Sequence, residues 1–199
     1  MKQVLIETQT FNTITELISE GKTTKRGNPV VEGILATVEV KNGNGRYYPK
    51  SLWEREMDKY SQLIKENRAV GELDHPESQV INLKNVSHNI KDISWDGKNI
   101  MGTIEILPTP SGNILKELFK SGIKLGFSSR GMGSVKEVFT EGDTSLEVQP
   151  DFELIAFDFV SNPSTHGAFL SPVNESKGTK SVNKFAGIER IITDIITEF

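Results

Sequence analysis

Two adjacent hydroxyls, Ser128 and Ser129, lie in the stretch Lys124-Leu125-Gly126-Phe127-Ser128-Ser129-Arg130-Gly131-Met132-Gly133-Ser134, among three glycines and beside a guanidinium. Glycine lets a backbone approach another chain or a substrate closely. A serine in such company can be presented with free neighbouring amides, the groups that stabilise an oxyanion. Serine is a weak nucleophile until a base takes its proton, so the chemistry turns on the histidines. Taken alone, the stretch reads more simply as a Gly/Ser-rich strand end.

The chain has three histidines, His75, His88 and His166. Pro76 pushes His75 into extended backbone, at a strand end or in a loop with Glu72 and Asp74 close by, where it is a candidate base. Zinc is a poorer reading, because Glu72, Asp74 and His75 are too close along one extended chain to converge without outside ligands. His88 falls in the period-two row Val86, His88, Ile90 and reads as a packed or surface sheet residue. His166 lies in a Pro/Ser/Gly loop. A carboxylate stands out as well: Asp158 shares a strand face with Phe152, Leu154, Ala156 and Val160. A charge among apolar neighbours must be paired or hydrogen-bonded, as a core ion pair or as an acid that orients a base.

Elements that carry these groups follow from periodicity. Alternation over 30–40 predicts a strand. Two further strands over 86–95 and 98–107 are joined at Asp96-Gly97, a hairpin signal. A helix is predicted from a Ser51 cap to about Asn67, with Trp53, Met57, Tyr60 and Ile64 as its apolar stripe. A second helix runs from an Asn113 cap through Phe119, with Ile114, Leu115, Leu118 and Phe119 inward and Gly122 beyond its end. The Ser128 strand is predicted to continue through Phe139, followed by strands at 145–148 and 151–160. A short strand at 3–7 and a brief helix at 13–19 open the chain. The count is about seven mostly antiparallel strands with two or three helices, an α+β fold whose β-barrel core or curled sheet carries helices outside.

Composition narrows the classes. Hydrophobic residues make up 36% and charged residues 25%, as in an ordinary globular domain. A net charge of −4 and an isoelectric point near 5.5 argue against nucleic-acid binding. No cysteine is present, so thiolate sites and cysteine nucleophiles are excluded. No apolar run approaches the length of a membrane span, and no signal segment is evident, which reads as intracellular. The expected organisation is a domain over 1–173, a polar linker over 174–185 and an amphipathic helix over 186–199 with Ile188, Ile191, Ile192, Ile195 and Ile196 on one side.

Three ordered motifs carry a family resemblance: Gly71-Glu72-Leu73-Asp74-His75-Pro76, Gly126-Phe127-Ser128-Ser129-Arg130-Gly131-Met132-Gly133-Ser134, and Asp158-Phe159-Val160-Ser161-Asn162-Pro163-Ser164. With Asn44-Gly45-Arg46-Tyr47-Tyr48-Pro49 upstream, the chain over roughly residues 30–170 resembles the T-even-type prohead core maturation proteases of tailed bacteriophages. The resemblance implies a serine endopeptidase with a herpesvirus-assemblin-like fold and no cofactor. It implies cleavage of scaffold and capsid proteins, after glutamate, inside the immature capsid in the host cytoplasm; a homo-oligomer is expected, with no nucleic-acid or membrane partner on the composition above. Carried over by position, the histidine is His75, the nucleophile Ser128 and the acid Asp158. Ser129, Arg130 and Gly131 become oxyanion or substrate-binding residues, each oxyanion donor worth about 3 kcal/mol. Asp74 departs from the asparagine more usual there. Ser129 is the rival nucleophile, and strand alternation allows only one of the two to face His75. Ile14-Thr15-Glu16 and Ile196-Thr197-Glu198 resemble cleavage sites of such enzymes, so self-trimming is an expectation. The alternatives are a non-catalytic scaffold or assembly module on the same fold and an unrelated hydrolase of small esters.

Overall fold

The computed structural model of the chain describes residues 2–9, 23–76, 78–121, 123, 125–140 and 143–161. The predicted helix at 13–19, both candidate self-cleavage motifs, His166, the linker and the C-terminal helix lie outside the described residues.

Among those residues the elements are ten strands and two helices. They run β1 (Gln3–Gln9), β2 (Val30–Thr37), β3 (Arg46–Tyr47), α1 (Lys50–Lys65), β4 (Val70–Glu72), β5 (Val86–Asp96), β6 (Asn99–Ile106), α2 (Pro110–Lys120), β7 (Gly126–Gly133), β8 (Val135–Thr140), β9 (Asp143–Val148) and β10 (Glu153–Val160). The strands form three sheets, ordered β1-β7-β10, β2-β6-β5-β4 and β3-β9-β8. The predicted closed barrel is not found among the described residues. Among the described residues, the backbone pairing between the β10 edge and the β4 edge is a single parallel bridge between Leu73 and Phe159, so these ladders are not continuous.

The β5–β6 hairpin turns where expected, with Gly97 at φ 59 in the left-handed region that glycine tolerates best. The predicted long strand from Ser128 to Phe139 divides instead. Ser134 donates both its amide and its hydroxyl to Asp151 Oδ1, at 2.9 and 3.0 Å, and this clamp sends β8 into a different sheet.

Helix α1 begins one residue before Ser51, with Pro49 at its N-cap and no side-chain cap. Its buried stripe is Leu52, Trp53, Met57 and Tyr60, joined by Glu56, whose Oε2 accepts the Leu154 amide at 2.8 Å. Helix α2 starts at Pro110, not after Asn113. Proline is preorganised for a first helical turn, and the Thr109 hydroxyl accepts the Gly112 amide at 3.0 Å. Leu115 and Phe119 are buried, whereas Ile114 faces out.

The core is aromatic. Trp53 stacks on Phe157 at 6.0 Å, Tyr60 meets Phe157 edge-on at 5.3 Å, and Phe127 lies 4.0 Å from Phe159. Each such ring, fully buried, stabilises the fold by about 2–3 kcal/mol. These rings support one face of β7 and β10; the candidate site lies on the other.

Candidate active site

In β7, alternation places Ser128 and Arg130 on one face and Phe127, Ser129 and Gly131 on the other. The β7–β10 register sets Asp158 directly opposite Ser128 and Phe157 opposite Ser129. Residues opposite one another in an antiparallel pair point to the same side, so Asp158 shares the face of Ser128. The register shift of this pair falls between Leu154 and Ala156, clear of Ser128.

His75 comes to that face from β4. The Asp74 amide donates to the Phe159 carbonyl at 2.7 Å, holding the chain beside β10. Asp74 then takes φ 70, a left-handed turn that aspartate accepts more readily than most residues, and its Oδ1 receives the His75 amide at 2.9 Å. The turn aims the imidazole at β10, where Nδ1 lies 3.1 Å from Asp158 Oδ2. His75 Nε2 is buried and has no hydrogen-bond partner among the described residues.

Asp158 is fully buried. Burial alone pushes its carboxyl up. Hydrogen bonds from His75 and Arg130, the Arg130 charge and the Glu72 amide outweigh that and hold it below the ordinary carboxylate range. An ionised Asp158 accepts Nδ1–H of His75 and leaves the Nε2 lone pair free to take a proton.

Arg130 is also fully buried. Its Nε donates to Asp158 Oδ2 at 2.8 Å, its Nη1 to the Ser78 carbonyl at 2.6 Å and its Nη2 to Glu72 Oε1 at 2.9 Å. The guanidinium thus lies against the acid. At Gly131 an added Cβ would meet the Phe152 ring at 2.4 Å and the Glu153 carbonyl at 2.8 Å, so close packing requires glycine there.

The two serines differ sharply. Ser128 Oγ donates to the main-chain carbonyl of Glu7 at 2.9 Å, and no hydrogen bond joins it to His75. Ser129 Oγ is buried and without a partner among the described residues, on the face shared with Phe157.

Glu7, which sequence reasoning passed over, is held at both ends. Its carboxylate accepts Arg46 Nη1 at 2.7 Å, Tyr48 Oη at 2.7 Å, Asn44 Nδ2 at 2.9 Å, and Asn42 Nδ2. The Asn42–Tyr48 motif is therefore a carboxylate cradle, and Glu7 is buried within it. Its carboxylate pushes the Tyr48 phenol pKa upward, in addition to the larger effect of burial. Glu72, three residues before His75, was weighed in the sequence only as a neighbour of His75 and a poor zinc ligand. A glutamate is ordinarily solvated, and nothing local to Glu7 or Glu72 marks either as buried.

His88, by contrast, belongs to the core. Its Nε2 lies 2.9 Å from the Phe157 carbonyl and its Nδ1 2.9 Å from the Ser87 hydroxyl. Among the described residues no helix is long and apolar enough to cross a membrane.

Comparison with known proteins gives a consistent result. The family model described as prohead core protein serine protease matches residues 9–178. The prohead core protein protease of Enterobacteria phage T4 is 31% identical over 146 residues, covering 71% of this chain and 68% of that protein. Among solved structures, the bacteriophage T4 capsid assembly protease superposes with a TM-score of 0.70 at 27% identity, over 81% of this chain and 99% of the other.

Proposed function

The chain belongs to the prohead core protein serine protease family, and on that premise we propose that it is an endopeptidase that cuts after glutamate, using Ser128 as nucleophile, His75 as base and Asp158 as orienting acid. The observation that carries this reading is Glu7. One residue presents its main-chain carbonyl to the Ser128 hydroxyl at 2.9 Å and its carboxylate to the cradle of Asn42, Asn44, Arg46 and Tyr48. A substrate glutamate needs its scissile carbonyl beside the nucleophile and its carboxylate held for selection. Strand β1, antiparallel to β7 with Glu7 opposite Ser129, lies as an extended substrate would.

The chemistry follows from these contacts. Ser128 turns its hydroxyl from the carbonyl to His75 Nε2, which removes the proton as Oγ bonds to the carbonyl carbon. Asp158 stabilises the imidazolium through Nδ1–H. The imidazolium then protonates the leaving amine as the C–N bond breaks, and water, deprotonated by His75, hydrolyses the acyl-enzyme. Main-chain amides around Ser129 to Gly131 are the oxyanion donors in this reading. Arg130 serves the acid, and Arg46 supplies the charge that selects glutamate.

Two consequences follow. While β1 occupies this position no other substrate can, and the bond held for the first cut is Glu7–Thr8. The family assignment supports a role in capsid maturation inside the prohead, with scaffold and capsid proteins as substrates. The test incubates the full chain and analyses its N-terminus by mass spectrometry, alongside labelling with a fluorophosphonate. Loss of residues 1–7 and a single label on Ser128 are expected. An intact N-terminus on a chain that cleaves glutamyl peptides overturns the β1 reading. Absence of any serine label, with no cleavage, favours the non-catalytic assembly role.

A further inference from the structure

Glu72 ends β4, is fully buried, and has no task in the reaction described above. Its Oε1 accepts Arg130 Nη2 at 2.9 Å and the Asn82 amide at 3.1 Å, and its own amide donates to Asp158 Oδ1 at 2.9 Å. Arg130 in turn reaches both oxygens of Asp158, through Nε at 2.8 Å and Nη2 at 3.4 Å. Asp158 Oδ2 is the same oxygen that lies 3.1 Å from His75 Nδ1.

One buried guanidinium therefore stands between two buried carboxylates. For stability alone this is a poor arrangement. Arg130 and Asp158 already neutralise each other, and adding a second carboxylate to a water-free site costs desolvation. Among the described residues Glu72 Oε2 has no hydrogen-bond partner, so part of that cost is not offset. Geometry supplies a reason for it. A guanidinium is planar with donors fixed in a fork, and contacts on one edge alone leave it free to pivot. Glu72 Oε1 and the Ser78 carbonyl hold the outer nitrogens, so the Nε edge that meets Asp158 has one orientation.

Resting on the triad reading above, we propose that Glu72 is a positioning residue for catalysis. Acting through Arg130, it sets the angle of the Asp158 carboxylate and hence of the His75 ring. Through Asn82 it also ties down the segment that follows His75. The Ser78 carbonyl on Arg130 and the Leu73 amide on the Asn85 carbonyl, 3.0 Å away, complete that restraint.

The experiment measures glutamyl-peptide cleavage by the full chain, with kcat expressed per fluorophosphonate-reactive site so that unfolded molecules do not count. Glu72→Gln keeps the shape and removes the charge. Its kcat is expected to fall about 10- to 100-fold with KM within about twofold of wild type. Because Glu72 acts through Arg130, the Glu72→Gln/Arg130→Lys double variant is expected to be no slower than the slower single variant. A purely structural role would lower the number of reactive sites and leave kcat per site unchanged, and that result overturns the proposal. So does a multiplicative loss in the double variant. Should Glu72→Gln fail to fold, Glu72→Asp keeps the charge one methylene short, and the same readouts apply. If Ser128→Ala still cleaves, the triad reading itself fails. If Ser128→Ala is dead while Glu72→Gln is unimpaired, only the role of Glu72 fails.

Discussion

Asp158 and Ser128 face each other across the β10–β7 ladder, one residue opposite the other, and so project from the same side of the sheet. That single register separates two serines that are indistinguishable in composition and adjacent in the chain. Ser128→Ala is expected to reduce kcat for glutamyl-peptide cleavage by at least about 10³-fold, as removal of a nucleophile does. Ser129→Ala, on the opposite face, is expected to keep the reaction. Steady-state kinetics on both variants check this; loss only in Ser129→Ala reverses the assignment.

The cradle around Glu7 makes a prediction about selectivity. Arg46 contributes the only full positive charge among its four donors, and a hydrogen bond to a charged group is worth about 1.5–3 kcal/mol. Arg46→Ala is expected to lower kcat/KM for glutamyl peptides by about 10- to 100-fold. The matched glutaminyl peptides are expected to change little, so the proposed preference for glutamate would narrow. Equal losses on both peptides would mean that Arg46 only supports the fold.

Stability in acid should carry a signature of His88. Burial is the larger cause and pushes its pKa down from 6.5 to about 4, against a smaller opposing pull from Asp158 and the Phe157 carbonyl. The unfolded chain therefore takes up a proton near pH 6.5 while the folded protein does not. This contribution is fully present above that pH and is lost as pH falls from about 6.5 to about 4, a change of about 3 kcal/mol. The depressed carboxyl of Asp158 adds its own loss at lower pH still. Urea unfolding of wild type and His88→Gln between pH 4 and 7 reads the difference, and the variant should show the flatter profile.

Gly71 is the tightest point behind the site. A Cβ there would meet the Phe157 carbonyl at 2.0 Å and His88 Nε2 at 2.4 Å. Backbone cannot yield by that amount without moving β4, which leads into His75. Gly71→Ala is expected to cost about 2–4 kcal/mol of stability, in the range of severe core overpacking, and to depress cleavage in the molecules that remain folded. A thermal midpoint unchanged from wild type would contradict the packing described.

Local pattern made much of this fold legible. Alternation marked β2, β5, β6 and β10, the Asp96-Gly97 turn marked the hairpin, and the Trp53, Met57, Tyr60 stripe marked the buried side of α1. What escaped depended on partners distant in the chain. Ser134 lies inside an unbroken strand-like pattern, and the break there comes from Asp151. Arg130 reads from the sequence as a substrate or oxyanion group or as an ion pair, and its partners Glu72, Ser78 and Asp158 could not be named from local pattern.

The amino-acid sequence by itself determined most of the longer strands, the apolar faces of several of them, and which rare groups were available for acyl transfer: a histidine fixed ahead of a proline, a serine pair among glycines, a carboxylate within an apolar row. Each of these is set by neighbours within a few residues, through steric limits on the backbone and a period of two. Tertiary structure alone decided that Ser128 and not Ser129 shares a face with Asp158, that Arg130 turns to the acid, and that Glu7 lies with its carbonyl on a hydroxyl and its carboxylate in a cradle. Those outcomes rest on strand register and on the pairing of charges removed from water. Both are fixed only when segments well separated in the chain come into contact, from Arg130 and Asp158, 28 residues apart, to Ser128 and Glu7, 121 apart.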